Sequence, residues 1–271
     1  MEERTLDDFS GSGNMFEGSM LEGRCGYFDD RNSVEFFIPL PDEGGDGDEK
    51  YSGGLPSLFD SLLSGGFRRS GKFVYNAVCP GCKQCVPIRI PVRKFAFSKN
   101  QRHLLRRNSD IEMRVVTGAE DMITMEKADL FSRYMERHEK TEPFSRSKSL
   151  EVLFDMNGIE KFEKPFYPGT VNFDYRLDGK LVGVGIIDLG RTSLSSCYFY
   201  YDISADMMRR SLGTYSILKE IEYCAASGYD FYYLGYYISK CRAMSYKGRF
   251  LPHELLIDGV WKEQCAQNWD V

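Results

Sequence analysis

The feature that most constrains the fold is a hairpin signal in the second half of the chain. Asp178-Gly179 sits inside VNFDYRLDGKLVGVGIIDLG, between two runs rich in β-forming residues. An Asp-Gly pair takes positive φ at both central turn positions, which matches the twist of flanking antiparallel strands. The run LSSCYFYYD reads as a third strand. Ser211 to Ala226 then reads as a helix that Gly228 can end, and Tyr229 to Ile238 as a very aromatic strand. Leu251 to Trp261 supplies a last strand. Strands followed by one helix and another strand commit this half to an α+β arrangement.

The first half is organised differently. Val34 to Leu40 is strand-like, and Pro56 to Leu63 is helix-like. Between them the acidic, Gly-rich stretch from Pro41 to Gly54 reads as a mobile loop. GGFRRSGKFVYNAVCPGCKQCVPIRIPV suggests two strands joined by a cysteine knuckle. In Phe97–Asn108, Ser98 is a helix N-cap candidate, and Arg102/Arg106 and His103/Arg107 are i,i+4 pairs that give a basic stripe. Gly118 to Lys140 has helical apolar spacing. The expected organisation is a cysteine-containing N-terminal subdomain over 1–115 and an acyl-transfer domain over 116–271. The second-half order resembles the acetyltransferase-like (GNAT-type) fold, in which a helix N-terminus holds a phosphate of the acyl carrier. RRSLG, Arg209–Gly213, stands where that loop belongs, with Arg210 as an added cation.

Charge separates along the chain. The 271 residues carry a formal net charge of -5. Yet Gly65 to Val116 holds twelve basic residues against Asp110 and Glu112, so the segment is +10 and the rest -15. The overall acidity argues against a nonspecific nucleic-acid coat, whereas the local excess suggests one polyanion site. Met1 to Ser10 lacks the apolar stretch of a secretory signal, and no run approaches the length of a membrane span. A cytoplasmic setting with reduced thiols is therefore expected for the eight cysteines. Cys79, Cys82 and Cys85 form C-x2-C-x2-C, and Cys25 is a candidate fourth thiolate for a structural or regulatory zinc ion or iron–sulfur cluster. Packing of three reduced thiols around a tight Pro80-Gly81 turn is the alternative. Cys197 and Cys224 read as small buried apolar residues.

Three stretches together resemble the arginyl/leucyl-tRNA–protein transferase family. They are GGFRRSGKFVY with CPGCKQCVPIRIPVRKFAFSKNQRHLLRRNSD, SLSSCYFYYD with RRSLGTYSILKEI, and YYLGYYISKCRAMSYKGRFLPHELL. The likeness runs from about Cys25 to Trp261, and the short chain matches the bacterial aspartate/glutamate leucyltransferase branch. It implies transfer of leucine from Leu-tRNA to the N-terminal α-amine of proteins beginning with Asp or Glu, as in the N-end rule pathway of protein degradation. An arginine donor and an acyl-CoA N-acetyltransferase are the alternative enzymes, and an RNA-binding module is the non-enzymatic one. Two departures stand out: CGYF, Cys25–Phe28, keeps one thiol where the eukaryotic branch has CxxC, and Tyr237 replaces a common Trp.

Such a reaction needs no cofactor, because the ester is already activated. The acceptor α-amine has a reference pKa of roughly 7.7–8.0 and must lose a proton, while the ester oxygen must be stabilised as charge develops. Tyr236, Tyr246, Lys247 and Asp188 are the catalytic candidates, with Asp202 read as a turn residue. Arg68, Arg69 and Arg89 are candidates for the acceptor carboxylate. Lys99, Arg102, Arg106 and Arg107, with Arg210, are candidates for tRNA phosphates.

Overall fold

A computed structural model describes residues 18–41, 54–137, 145–160 and 163–265. Residues 42–53 of the acidic loop, the first ten residues and Lys140 lie outside that set. The strands in chain order are β1 Ser19–Arg24, β2 Asn32–Pro39, β3 Arg68–Ser70, β4 Phe73–Ala77, β5 Val86–Pro91, β6 Ile111–Val116, β7 Thr170–Leu177, β8 Lys180–Leu189, β9 Ser193–Tyr201, β10 Phe231–Tyr237, β11 His253–Ile257 and β12 Val260–Gln264. Two compact units result. One combines Met1–Ile90 with Tyr233–Val271, and the other is Pro91–Tyr232. The expected division at 115/116 coincides with neither, because β11 pairs antiparallel with β5 and so returns the chain end to the first unit.

In the first unit β1-β2-β4-β3 form an antiparallel sheet. Strand alternation gives it two unlike faces. Phe36, Ile38, Val74 and Arg69 are buried on one. Glu35 and Phe37 of β2, Tyr75 and Ala77 of β4, and Arg68 of β3 share the other, in the register Glu35 opposite Ala77 and Phe37 opposite Tyr75 opposite Arg68. The helix Gly54–Ser64 buries Leu55, Leu58, Phe59, Leu62 and Leu63, an apolar stripe at helical spacing. Strands β12-β11-β5-β10 lie side by side. The cysteine knuckle joins two strands, β4 and β5, as expected from sequence; they belong to different sheets, so the connection is a crossover. The hairpin there is β3–β4, turned at Gly71 with φ 58°.

The second unit carries β9-β8-β7-β6, antiparallel throughout. Asp178 and Gly179 have φ 49° and 80°, the positive pair that the hairpin requires. Ser98 caps the helix Lys99–Arg107 in a full capping box with Gln101. This helix packs against the helix Leu212–Ser227, which Gly228 ends at φ 77°. The expected continuous helix over Gly118–Lys140 is interrupted, as Ala119–Met122 and Met125–Met135, because the Thr124 side chain accepts from the Lys127 N–H and starts a new helix. Its apolar side joins Leu153 of the helix Arg146–Asn157 in a core with Met122, Ile123, Phe131, Val184 and Tyr200. No helix among the described residues is long and apolar enough to cross a membrane.

Candidate active site

The open face of the first unit's small sheet borders a hollow. Cys25, Tyr27, Arg31, Ser33, Glu35, Tyr75, Ala77, Cys79, Cys82, Cys85 and Tyr236 are among its lining residues. Tyr236 is held there from β10. Its hydroxyl accepts from the Ala77 N–H at 3.0 Å and lies 3.3 Å from Asn76 Oδ1, to which it donates. Burial raises the phenol far above its ordinary range, so this hydroxyl stays protonated. The Tyr236 ring meets Tyr75 edge-on at 6.3 Å, and the Arg68 guanidinium lies over it at 5.4 Å. Gly235 makes that approach available: at φ 82°, a Cβ there would stand 2.3 Å from Arg68 Cζ.

Lys247 is also in this unit, 7% exposed, and its Nζ donates to the Tyr236 carbonyl at 2.9 Å. Burial, and next the Arg68 charge, lower its pKa well below the usual lysine value. It therefore braces the strand that carries Tyr236, which is the contact the structure gives this catalytic candidate. Tyr246, at 36% exposure, stays at the surface in the short turn Tyr246–Arg249.

The three arginines expected to read a carboxylate have different fates. Arg69 is buried on the core face and donates to the Gly71 carbonyl at 2.9 Å. Arg89 donates to Glu254 at 2.7 Å and to the Tyr233 hydroxyl at 3.0 Å, and stacks 4.1 Å from the Trp261 ring centre. Both hold the unit together, which corrects their assignment to substrate. Arg68 is the one of the three on the face that borders the hollow.

The four thiols converge. Cys79 Sγ accepts from the Val34 N–H at 3.2 Å, and the Cys82 N–H closes the knuckle turn on the Cys79 carbonyl at 3.2 Å. Burial, reinforced by the other three sulfurs, pushes the Cys85 thiol up to about 12. The donor chemistry suits a soft metal. Among the described residues, however, no group of three or more His, Cys, Asp or Glu side chains is arranged to hold an ion.

The remaining candidates lie in the second unit. Asp188 is fully buried between strands, accepting from Thr170 Oγ1 at 2.8 Å and from the Cys197 thiol at 2.7 Å. Those bonds make it a cross-strand fastener, a correction to its catalytic reading. Asp202 accepts from the Ser204 N–H at 2.8 Å, as a turn aspartate does. Arg210 is paired with Asp110 through two bonds of 2.8 and 2.9 Å, so its charge is already compensated. Ser211, at φ 55°, separates two helices and makes no side-chain cap. By contrast Lys99, Arg102, Arg106 and Arg107 are exposed on one helix, and among the described residues none of them is paired with a carboxylate.

The family model for the arginine-tRNA-protein transferase N terminus matches residues 23–103, and that for its C terminus matches 126–257. The aspartate/glutamate leucyltransferase of Chromohalobacter salexigens is 35% identical over 89% of this chain and 89% of its own length. The chain belongs to the arginyl/leucyl-tRNA–protein transferase family. Relatives of the same name in Marinobacter nauticus and Pseudomonas fluorescens are 33% and 36% identical, covering 89% and 75% of this chain and 93% and 82% of theirs. Among solved structures, the C-terminal domain of a putative lysylphosphatidylglycerol synthetase from Agrobacterium fabrum shares a TM-score of 0.44 at 13% identity, over 82% of this chain and 71% of that one.

The transferase is thus an aminoacyltransferase, and two residues were not singled out from sequence: Gly235, against which Arg68 packs, and Glu35, in the lining of the hollow. Gly235 in YYLGYY had no turn context to mark it, since it lies inside a strand. Glu35 is a lone acid in an alternating strand, where a solvent-facing residue is the default reading. Burial in the hollow raises its carboxyl above the ordinary value.

Proposed function

We propose that this enzyme transfers leucine from Leu-tRNA to the N-terminal α-amine of proteins that begin with Asp or Glu, marking them for degradation in the cytoplasm. The observation that carries the tRNA part is the exposed cationic helix Lys99–Arg107. Among the described residues its cations have no carboxylate partner, and a row of such charges matches a phosphate backbone. The acceptor α-ammonium first releases a proton to solvent. Its lone pair then attacks the ester carbonyl carbon. The new C–N bond forms as the bond to the terminal ribose oxygen breaks, and a second amine proton ends on that oxygen. Arg68, held over Tyr236 at the hollow, is the cation that reads the acceptor's acidic side chain. The four thiols line the same hollow, and metal analysis of the purified enzyme tests whether they take up zinc or an iron–sulfur cluster, which the transfer itself does not need.

The test supplies labelled Leu-tRNA and Arg-tRNA separately, with Asp-, Glu-, Asn- and Lys-starting peptides. Leucine should appear on the Asp and Glu peptides only. Transfer from Arg-tRNA with none from Leu-tRNA overturns the donor. Arg68→Met should lower the preference for Asp over Asn peptides by about tenfold or more, the worth of a charged hydrogen bond. A preserved preference removes Arg68 from acceptor recognition.

A further inference from the structure

A pocket that accepts an N-terminal Asp or Glu must recognise two charges of opposite sign. Arg68 answers one of them. On the same open sheet face, two strands away, stands Glu35. It lines the hollow together with Tyr27, Tyr75 and Tyr236, and its charge is felt at Tyr27 and Cys85, both in the lining. Among the described residues no group donates a hydrogen bond to its carboxylate or forms an ion pair with it. A half-buried carboxylate at the wall of a hollow, without a cation of its own, is a receptor for one that arrives with a ligand.

We propose that Glu35 binds the α-ammonium of the acceptor, so that Glu35 and Arg68 together measure the separation between the amine and the side-chain carboxylate. This rests on the reading of the hollow as the acceptor pocket. The register sets the ruler. Glu35 lies opposite Ala77 on β4, and Arg68 lies opposite Tyr75, two residues along β4 from Ala77. Neighbouring strands are about 4.8 Å apart and residues on a strand rise about 3.3 Å each. The two backbone positions are then roughly 11–12 Å apart, with both side chains on one face. An Asp or Glu residue spans about 4–5 Å from its amine to its carboxylate. Adding a charged contact of about 2.8 Å at each end gives roughly 10 Å. The ring of Tyr75 floors the gap, and the ring of Tyr236 carries Arg68 above it. A free amine without an acidic side chain meets only Glu35, and a blocked N-terminus meets only Arg68. Glu35 is thus a binding and specificity residue, present in the ground state as well as in the transition state, so its loss acts on KM.

The experiment compares the full-length wild type with Glu35→Gln and Glu35→Asp. It measures steady-state transfer to an Asp-starting peptide and, separately, binding of the free-amine and N-acetylated forms of that peptide. Glu35→Gln should raise the peptide KM about 10- to 100-fold with kcat changed much less, and should bind both peptide forms alike. Glu35→Asp should recover part of the preference for the free amine. Leu-tRNA affinity and bound metal should match the wild type in both variants. A Glu35→Gln enzyme that still prefers the free amine overturns the assignment. So does a loss of metal or tRNA affinity with the peptide preference intact. The Arg68→Met measurement reads the Asp-over-Asn preference independently. Failure of the pocket reading shows there, and failure of the Glu35 assignment shows in the free-amine preference alone.

Discussion

Replacing Lys127 with methionine is expected to destabilise the enzyme by about 3–5 kcal/mol, the usual consequence of stranding one partner of a buried ion pair. Lys127 Nζ lies 2.8 Å from Asp174 Oδ1, with side-chain exposures of 1% and 6%. It also donates to Asn172 Oδ1 at 3.1 Å, and Asn172 donates in turn to Asn157 at 2.7 Å. Burial pushes the lysine pKa down and the aspartate pKa up, and each shift is opposed by the partner's charge. The pair is therefore held by mutual compensation: either charge alone would face the core without a counterion. Urea denaturation of the single variant gives the cost. Lys127→Met combined with Asp174→Leu should recover most of it, since two apolar side chains of similar volume replace the pair without an orphaned charge. A single variant within about 1 kcal/mol of the wild type, or a double variant no better than the single, would show that the network does not act as a unit.

The second large effect concerns affinity. Reversing Arg102 and Arg106 to glutamate should weaken Leu-tRNA binding about 10- to 100-fold at low salt. The slope of log affinity against log salt should also fall by roughly 0.7–0.9 for each phosphate contact removed. These two residues are one helical turn apart on an exposed face; Arg102 also donates to the Phe97 carbonyl, but the helix is started by the Ser98 capping box and packs on the helix Leu212–Ser227. Folding should thus survive. Arg114→Gln is the matched control, because that cation already lies 2.9 Å from Glu112. Equal salt slopes for the wild type and the reversed enzyme would mean that tRNA binds elsewhere.

These expectations draw on two kinds of information, and the residues show where one gives way to the other. The Asp178-Gly179 turn, the Ser98 cap and the stop at Gly228 were all readable from sequence, because each depends on backbone preferences acting over a few neighbouring residues. The family motifs were readable for the same reason, as contiguous strings. The helix Arg146–Asn157 was not, since its polar and apolar residues alternate without a clear stripe.

Charge bookkeeping was the least legible part. Twelve cations between Gly65 and Val116 look alike in a sequence. Their roles separate only when distant partners arrive, such as Glu254 for Arg89, 165 residues away, and Asp230 for Arg93. The same holds for Lys247, whose position near YYLGYY suggested chemistry until the fold turned its ammonium group onto the Tyr236 carbonyl. Sequence by itself determined the local elements, the α+β class and the family. Tertiary structure alone decided which charges are neutralised inside the protein and which, like Arg106 and Glu35, still face outward or line a hollow. A charge's worth depends on its burial and its partner, and both are set by residues far away in the chain.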